Sequence, residues 1–96
     1  CLGLAFKPDI DDLRESPAVE ITQYIAQLGC QVLAVEPNIE ALPETMSNPN
    51  LSAVNLTDAL TASDVICILV KHRTFVEAAK DIRRSGQIID TVGLLV

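Results

Sequence analysis

Residues 65–70 read Val-Ile-Cys-Ile-Leu-Val, an unbroken apolar run followed at once by Lys71 and His72. The run falls far short of the roughly 20 apolar residues that cross a bilayer. It is the strongest strand signal in the chain. A strand wetted on one face alternates apolar and polar residues, so a strand without alternation must be covered on both faces. Parallel sheets meet that condition, because the helices that connect parallel strands lie over the faces. The run therefore commits the chain to strand–helix–strand units.

The remaining sequence supplies them. Residues 2–6 form a second short apolar run and read as a buried strand. Ser16-Pro17 follows as an N-cap with proline at the first helical position. Ala18, Ile21, Ile25 and Leu28 recur at helical spacing, which predicts that they form the core-facing side of this helix, and Gly29 ends it. Residues 32–35 read as another buried strand. An irregular stretch from Glu36 through Asn48-Pro49-Asn50 is expected to hold one helical turn at 39–42, and a short edge strand is expected within 51–56. Thr57 is expected to cap a short helix ending at Ala62. Phe75, Ala79 and Ile82 mark one further helix, whose last turns carry Lys80, Arg83 and Arg84, where cations suit the helix dipole. Ser85-Gly86 breaks it, and Ile88-Ile89 form a last strand ending at Asp90. The expected fold is α/β: a three-layer, Rossmann-like domain over residues 1–96, with a mainly parallel sheet and helices on both faces. Ligands of such sheets bind beyond the carboxyl ends of the strands. That singles out residues 6–15, the segment from Glu36 onward, 71–74 and 90–93.

Composition narrows the function. Aromatic residues make up 3% of the chain, so the core is aliphatic and there are few rings on which nucleobases could stack. The formal net charge of −6 disfavours phosphate backbones and anionic lipid surfaces, so neither nucleic acid nor membrane is an expected partner. Cys1, Cys30 and Cys67 are scattered and form no CxxC, which reads as reduced thiols of a cytoplasmic protein. The chain opens inside a strand and closes on an apolar tail, so a fragment of a longer protein is expected.

Three candidate sites can be weighed. A dinucleotide fingerprint needs GxGxxG after the first strand, and Gly3-Leu4-Ala5-Phe6-Lys7-Pro8 offers one glycine, a bulky phenylalanine and a proline. A self-contained NAD site is not expected, and Glu36, where a ribose-binding acid would sit, reads as a solvated strand-end residue. The loop over residues 6–15 is the second candidate. Lys7 can meet a phosphate or carboxylate, Arg14 offers a planar fork, and the helix start adds backbone donors. Asp9, Asp11, Asp12 and Glu15 would orient the two cations. The competing reading is a solvated loop with ion pairs worth ~0–1 kcal/mol each. The third candidate, a metal site on the aspartates, lacks the glycine, terminal glutamate and histidine such sites use, so no metal is expected. His72, the only histidine, reads as structural, capping the helix that begins near Arg73.

The stretch GLAFKPDIDDLRESPA, residues 3–18, resembles the signature of the C-terminal, UDP-binding domain of the UDP-glucose/GDP-mannose dehydrogenase family. VEPNI at 35–39, ASDVICILVKHRTF at 62–75 and IIDTVG at 88–93 resemble later landmarks of that domain in the same order. The resemblance implies a nucleotide-sugar-binding domain of an NAD-dependent enzyme that oxidises a sugar C6 alcohol to a carboxylate through a cysteine thioester. FKPDIDDLRESPA with VEPNI is most similar to the branch acting on UDP-N-acetyl-D-mannosamine; the alternatives are the branches acting on UDP-glucose or UDP-GlcNAc, or a stand-alone nucleotide-binding module.

By position, the resemblance implies that Phe6 and Lys7 meet the nucleotide-sugar and that Arg14 reaches toward NAD held mainly by an N-terminal domain. Asp11, Asp12 and Glu15 would hold the loop and position Arg14. The family commonly carries a cation within two residues of the aspartate that ends the last strand, and here that place is Val92. None of the three cysteines has the family's catalytic context, so no catalytic residue is expected in this chain, which alone should be inactive. The implied partners are a UDP-sugar and the N-terminal NAD-binding and central helical domains of the same chain, in a homodimer or higher oligomer.

Overall fold

The computed structural model describes residues 1–95. Helix α1 (Pro17–Gln27) is followed by β1 (Val32–Ala34), a 3-10 turn (Glu44–Met46), β2 (Leu51–Ala53), α2 (Leu56–Ala62), β3 (Val65–Ile68), α3 (Arg73–Glu77), α4 (Ala79–Arg84) and β4 (Gln87–Asp90). β1 pairs with β2 and β3 with β4, both in parallel. The N-terminal segment, expected as a strand over residues 2–6, carries isolated bridges at Leu2 only and joins the two pairs. Leu2 bridges Val35 on one side and Ile68 on the other, both in parallel. The spatial order is thus β2–β1–N-terminal segment–β3–β4, with the first segment of the chain at the centre. The chain winds outward from it in one direction and then in the other. The carboxyl ends of the N-terminal segment, β1 and β3 therefore meet at the point where the winding reverses.

Both faces of the sheet centre are covered, but the 65–70 run is not buried throughout: its strand ends at Ile68, Val65 is exposed and Cys67 is half-buried. Leu2, Val35, Ile66 and Ile68 pack with Ala59, Phe75 and Ile82 of α2, α3 and α4. Leu4, Val32 and Ala34 pack with Ala26 of α1, and Ala18 of α1 packs with Leu69 and Val70. In a regular strand Leu2 and Leu4 would share a face. They lie in opposite layers because Gly3, at φ +99°, breaks the alternation. Glycine is also required there by contact: a Cβ on Gly3 would sit 2.5 Å from the Cβ of Val70.

Several local expectations are corrected. The buried face of α1 is Ala18, Thr22 and Ala26, while Ile21 and Leu28 are exposed. Small residues let the helix lie close to the sheet, Val19 and Ile25 pack beside them half-buried, and Ile21 and Leu28 turn outward. Residues 39–42 form no helical turn; the turn lies at Glu44–Met46, where buried Met46 anchors it. Asn55, not Thr57, caps α2, its Oδ1 accepting from the Asp58 amide at 2.8 Å. The helix expected after His72 is two short helices, parted at Ala78. Cys67 is half-buried, and burial pushes its thiol pKa up.

Gly3→Ala should be strongly destabilising, by about 2 kcal/mol or more, because the left-handed backbone and the contact with Val70 penalise any side chain. Urea denaturation checks this, and a variant as stable as the parent would contradict it.

Candidate ligand site at the carboxyl edge of the sheet

Glu36 closes β1 and turns inward. Its side chain is 1% exposed, as against the solvated residue the sequence suggested. Oε1 accepts the amide N–H groups of Leu4 and Ala5, each at 2.9 Å. Oε2 accepts the Asn38 amide at 3.0 Å and the Asn38 side-chain amide at 3.2 Å. The Nε2 of His72 lies 2.7 Å from Oε1. Burial works to raise the Glu36 pKa, but the Leu4 amide, the His72 ring and the Asn38 and Ala5 amides outweigh it, and the carboxyl lies below its ordinary value. The amides of Leu4 and Ala5 stand where a glycine-rich turn would offer donors to a pyrophosphate. Glu36 takes both.

His72 is wholly buried, its ring tilted against Phe75 at 5.4 Å between centroids. Its Nδ1 accepts the Asp9 amide N–H at 2.8 Å. That bond assigns the ring proton to Nε2, which donates it to Glu36. His72 occupies the N-cap position of α3, but its side chain makes no capping bond. The cap comes from Asp9, whose Oδ1 accepts the Arg73 amide at 2.7 Å. Asp9 itself sits at φ +61°. Expected to orient a cation, it fastens the loop to the start of α3 instead.

The sequence-predicted residues lie on that loop. Phe6 is 50% exposed, directly after buried Ala5, and the Lys7 ammonium stands 5.9 Å from its ring centroid. The Phe6 amide donates to the Asp12 carbonyl at 2.8 Å, closing the loop on itself. Arg14, its side chain 88% exposed, pairs with Asp12 through two N–H groups at 3.1 Å each, which holds the Asp12 carboxyl below its usual range. Phe6, Lys7 and Arg14 thus share one loop without converging on one point.

Two further hollows accompany the one of about 520 Å³ that Asp11, Asp12, Leu13, Arg14 and Glu15 of the loop line themselves. One of about 290 Å³ is lined by Ala5, Phe6, Ser16, Pro17, Lys71 and Val92 among others. It lies at the N-terminus of α1, where the buried Ser16 hydroxyl has no hydrogen-bond partner among the described residues. The other, about 410 Å³, is apolar apart from Glu36, Glu40, Asn55 and Thr74 and carries no cation. On the far side Asp90 curls back on its own turn, accepting the Val92, Leu94 and Leu95 amides, and these bonds lower its pKa.

The family model "UDP-glucose/GDP-mannose dehydrogenase family, UDP binding domain" matches residues 1–96. The chain belongs to this family. Its relatives include the UDP-N-acetyl-D-mannosamine dehydrogenase of Campylobacter jejuni, 52% identical over 84% of this chain and 20% of the relative. The Yersinia pestis protein of the same name is 44% identical over 98% of the chain and 22% of its own length. The NDP-N-acetyl-D-galactosaminuronic acid dehydrogenase of Ralstonia nicotianae is 45% identical over 98% and 22%. The chain thus spans about a fifth of the curated relatives it matches. A crystal structure of a ternary complex of GDP-mannose dehydrogenase from Pseudomonas aeruginosa superposes with a TM-score of 0.78 at 24% identity, over 98% of this chain and 24% of that one, which shows the shared fold. His72 and the inward Glu36 are what sequence reasoning missed. The signal available was an acid at the end of one strand and the sole histidine after another, at edges a parallel sheet brings together.

Glu36→Ala should cost about 3–5 kcal/mol, since it strands buried donors without a partner. Because the Glu36 pKa is depressed in the fold, its contribution is present above the ordinary carboxylate range of about 4–4.5 and fades as pH falls through and below it. Urea midpoints measured from pH 7 to pH 3 should drop on the acid side, and less steeply in Glu36→Gln; parallel acid slopes would refute the assignment.

Proposed function

We propose that residues 1–96 are the nucleotide-sugar-binding domain of a longer, cytoplasmic, NAD-dependent dehydrogenase that oxidises the C6 alcohol of UDP-N-acetyl-D-mannosamine to a carboxylate. The observation that carries this reading is the Phe6–Lys7 pair standing free beyond the central strand, beside the hollow at the start of α1. Lys7 and Lys71 supply positive charge to a diphosphate, and the α1 N-terminus with the Ser16 hydroxyl adds donors. The Phe6 ring packs against the sugar or base. Where the family commonly places a cation after the last strand, Val92 makes an apolar wall, and Lys71 on the same hollow supplies the charge. The other hollow, acidic and without a cation, is unsuited to a diphosphate.

NAD, when bound, supplies the hydride acceptor. This chain fits it only as a contact. The close approach that Gly3 permits is filled by Val70, and the amides of Leu4 and Ala5 are committed to Glu36. Arg14, held by Asp12 with most of its surface free, is the residue that reaches toward the cofactor bound on the N-terminal domain. The domain docks there and against a central helical domain, in a homodimer or larger oligomer, and by itself is inactive.

The full-length protein should form NADH with UDP-N-acetyl-D-mannosamine in preference to UDP-GlcNAc, UDP-glucose and GDP-mannose, followed by absorbance. Lys7→Ala should raise the KM for the nucleotide-sugar about tenfold with the NAD KM unchanged, and Arg14→Ala should do the reverse. Absence of turnover with all of these sugars defeats the enzyme reading, and exchanged KM effects defeat the residue roles.

A further inference from the structure

We propose that Asp9, His72 and Glu36 form a positioning device that sets the Phe6–Lys7 pair for the nucleotide-sugar; the inference rests on the reading above. Phe6 and Lys7 lie between two anchors. Ahead of them, the amides of Leu4 and Ala5 are bound by Glu36. Behind them, Asp9 is bound twice, its amide to His72 Nδ1 at 2.8 Å and its Oδ1 to the Arg73 amide at 2.7 Å. His72 connects the anchors, since its Nε2 lies 2.7 Å from Glu36 Oε1. The imidazole is wholly buried, packed on Phe75, and the carboxylate it meets is fixed by four further N–H donors, so neither group has room to turn. Asp9 holds φ +61°, a left-handed conformation that aspartate, asparagine and glycine adopt more readily than other residues. The loop is held by bonds to His72 and Arg73 at the start of α3, directly after Leu69, Val70 and Lys71, which line the hollow beside Phe6. The device thereby fixes the loop relative to the hollow, and not merely the loop in itself.

Asp9 is the place to test this, because its side chain is half exposed and its loss leaves the core intact. In the full-length enzyme, Asp9→Gly removes the carboxylate bond to Arg73 while glycine keeps the left-handed φ accessible. It should lower the urea midpoint only slightly, as loss of a helix cap to glycine does, lift the KM for UDP-N-acetyl-D-mannosamine about tenfold, and keep the NAD KM within about twofold. Asp9→Asn keeps an acceptor at Oδ1 and tolerates the left-handed backbone, and should restore the KM. Stability alone would predict no KM change in Asp9→Gly. If Asp9→Gly keeps the parental KM while Lys7→Ala raises it, the positioning role is overturned and the ligand site stands. If Lys7→Ala also keeps the parental KM, the ligand site is misplaced and the positioning role falls with it.

Discussion

The contact between His72 and Glu36 is the joint on which this domain's working edge depends. A parallel sheet brings the ends of its strands to one edge but leaves the loops beyond them free to diverge. Here a buried carboxylate lies just beyond β1, a buried imidazole lies at the start of α3, and the N-terminal segment runs between them with its Leu4 and Ala5 amides bound to the carboxylate. A buried ion or polar group is stable only when all its bonding capacity is used. Both oxygens of Glu36 and both nitrogens of His72 have partners, so the pair is secure and so is the relative placement of three loops.

The architecture was largely legible in the sequence, and for a physical reason. An apolar run without alternation points to cover on both faces, and it led from residues 65–70 to parallel strands with helices on both sides, although Val65 at its start is exposed. Element ends were less legible. The cap of α2 depends on which side chain reaches which amide, and Asn55 rather than Thr57 has that geometry. The orientation of α1 was misread because hydropathy ranks Ile21 and Leu28 above Thr22, whereas the sheet beneath demanded small side chains.

At the site, the loop that bears Phe6, Lys7 and Arg14 could be located from its charge and its place after a strand. The function of its acids could not. The four were alike in sequence, yet the structure separates them: Asp12 holds Arg14, and Asp9 fastens the loop to the start of α3. Glu36 carried the most misleading signal. Its position matched the ribose acid of a dinucleotide fold, but burial and five donors make it an internal anchor. Sequence spacing reports which strand end a residue occupies, and not whether its side chain turns in or out.

Loops at a sheet edge are ordinarily where chains gain and lose residues, because their path over the surface is loosely determined. The loop after the first strand has no such latitude. Its start is bound through Ala5, its midpoint through Asp9, and its return through the bond from the Phe6 amide to the Asp12 carbonyl. One residue added or removed between Phe6 and Asp12 would take Asp9 out of reach of Arg73 or break the closing bond. The length of this segment is therefore as strictly determined as that of a strand in the core, although most of its side chains face water.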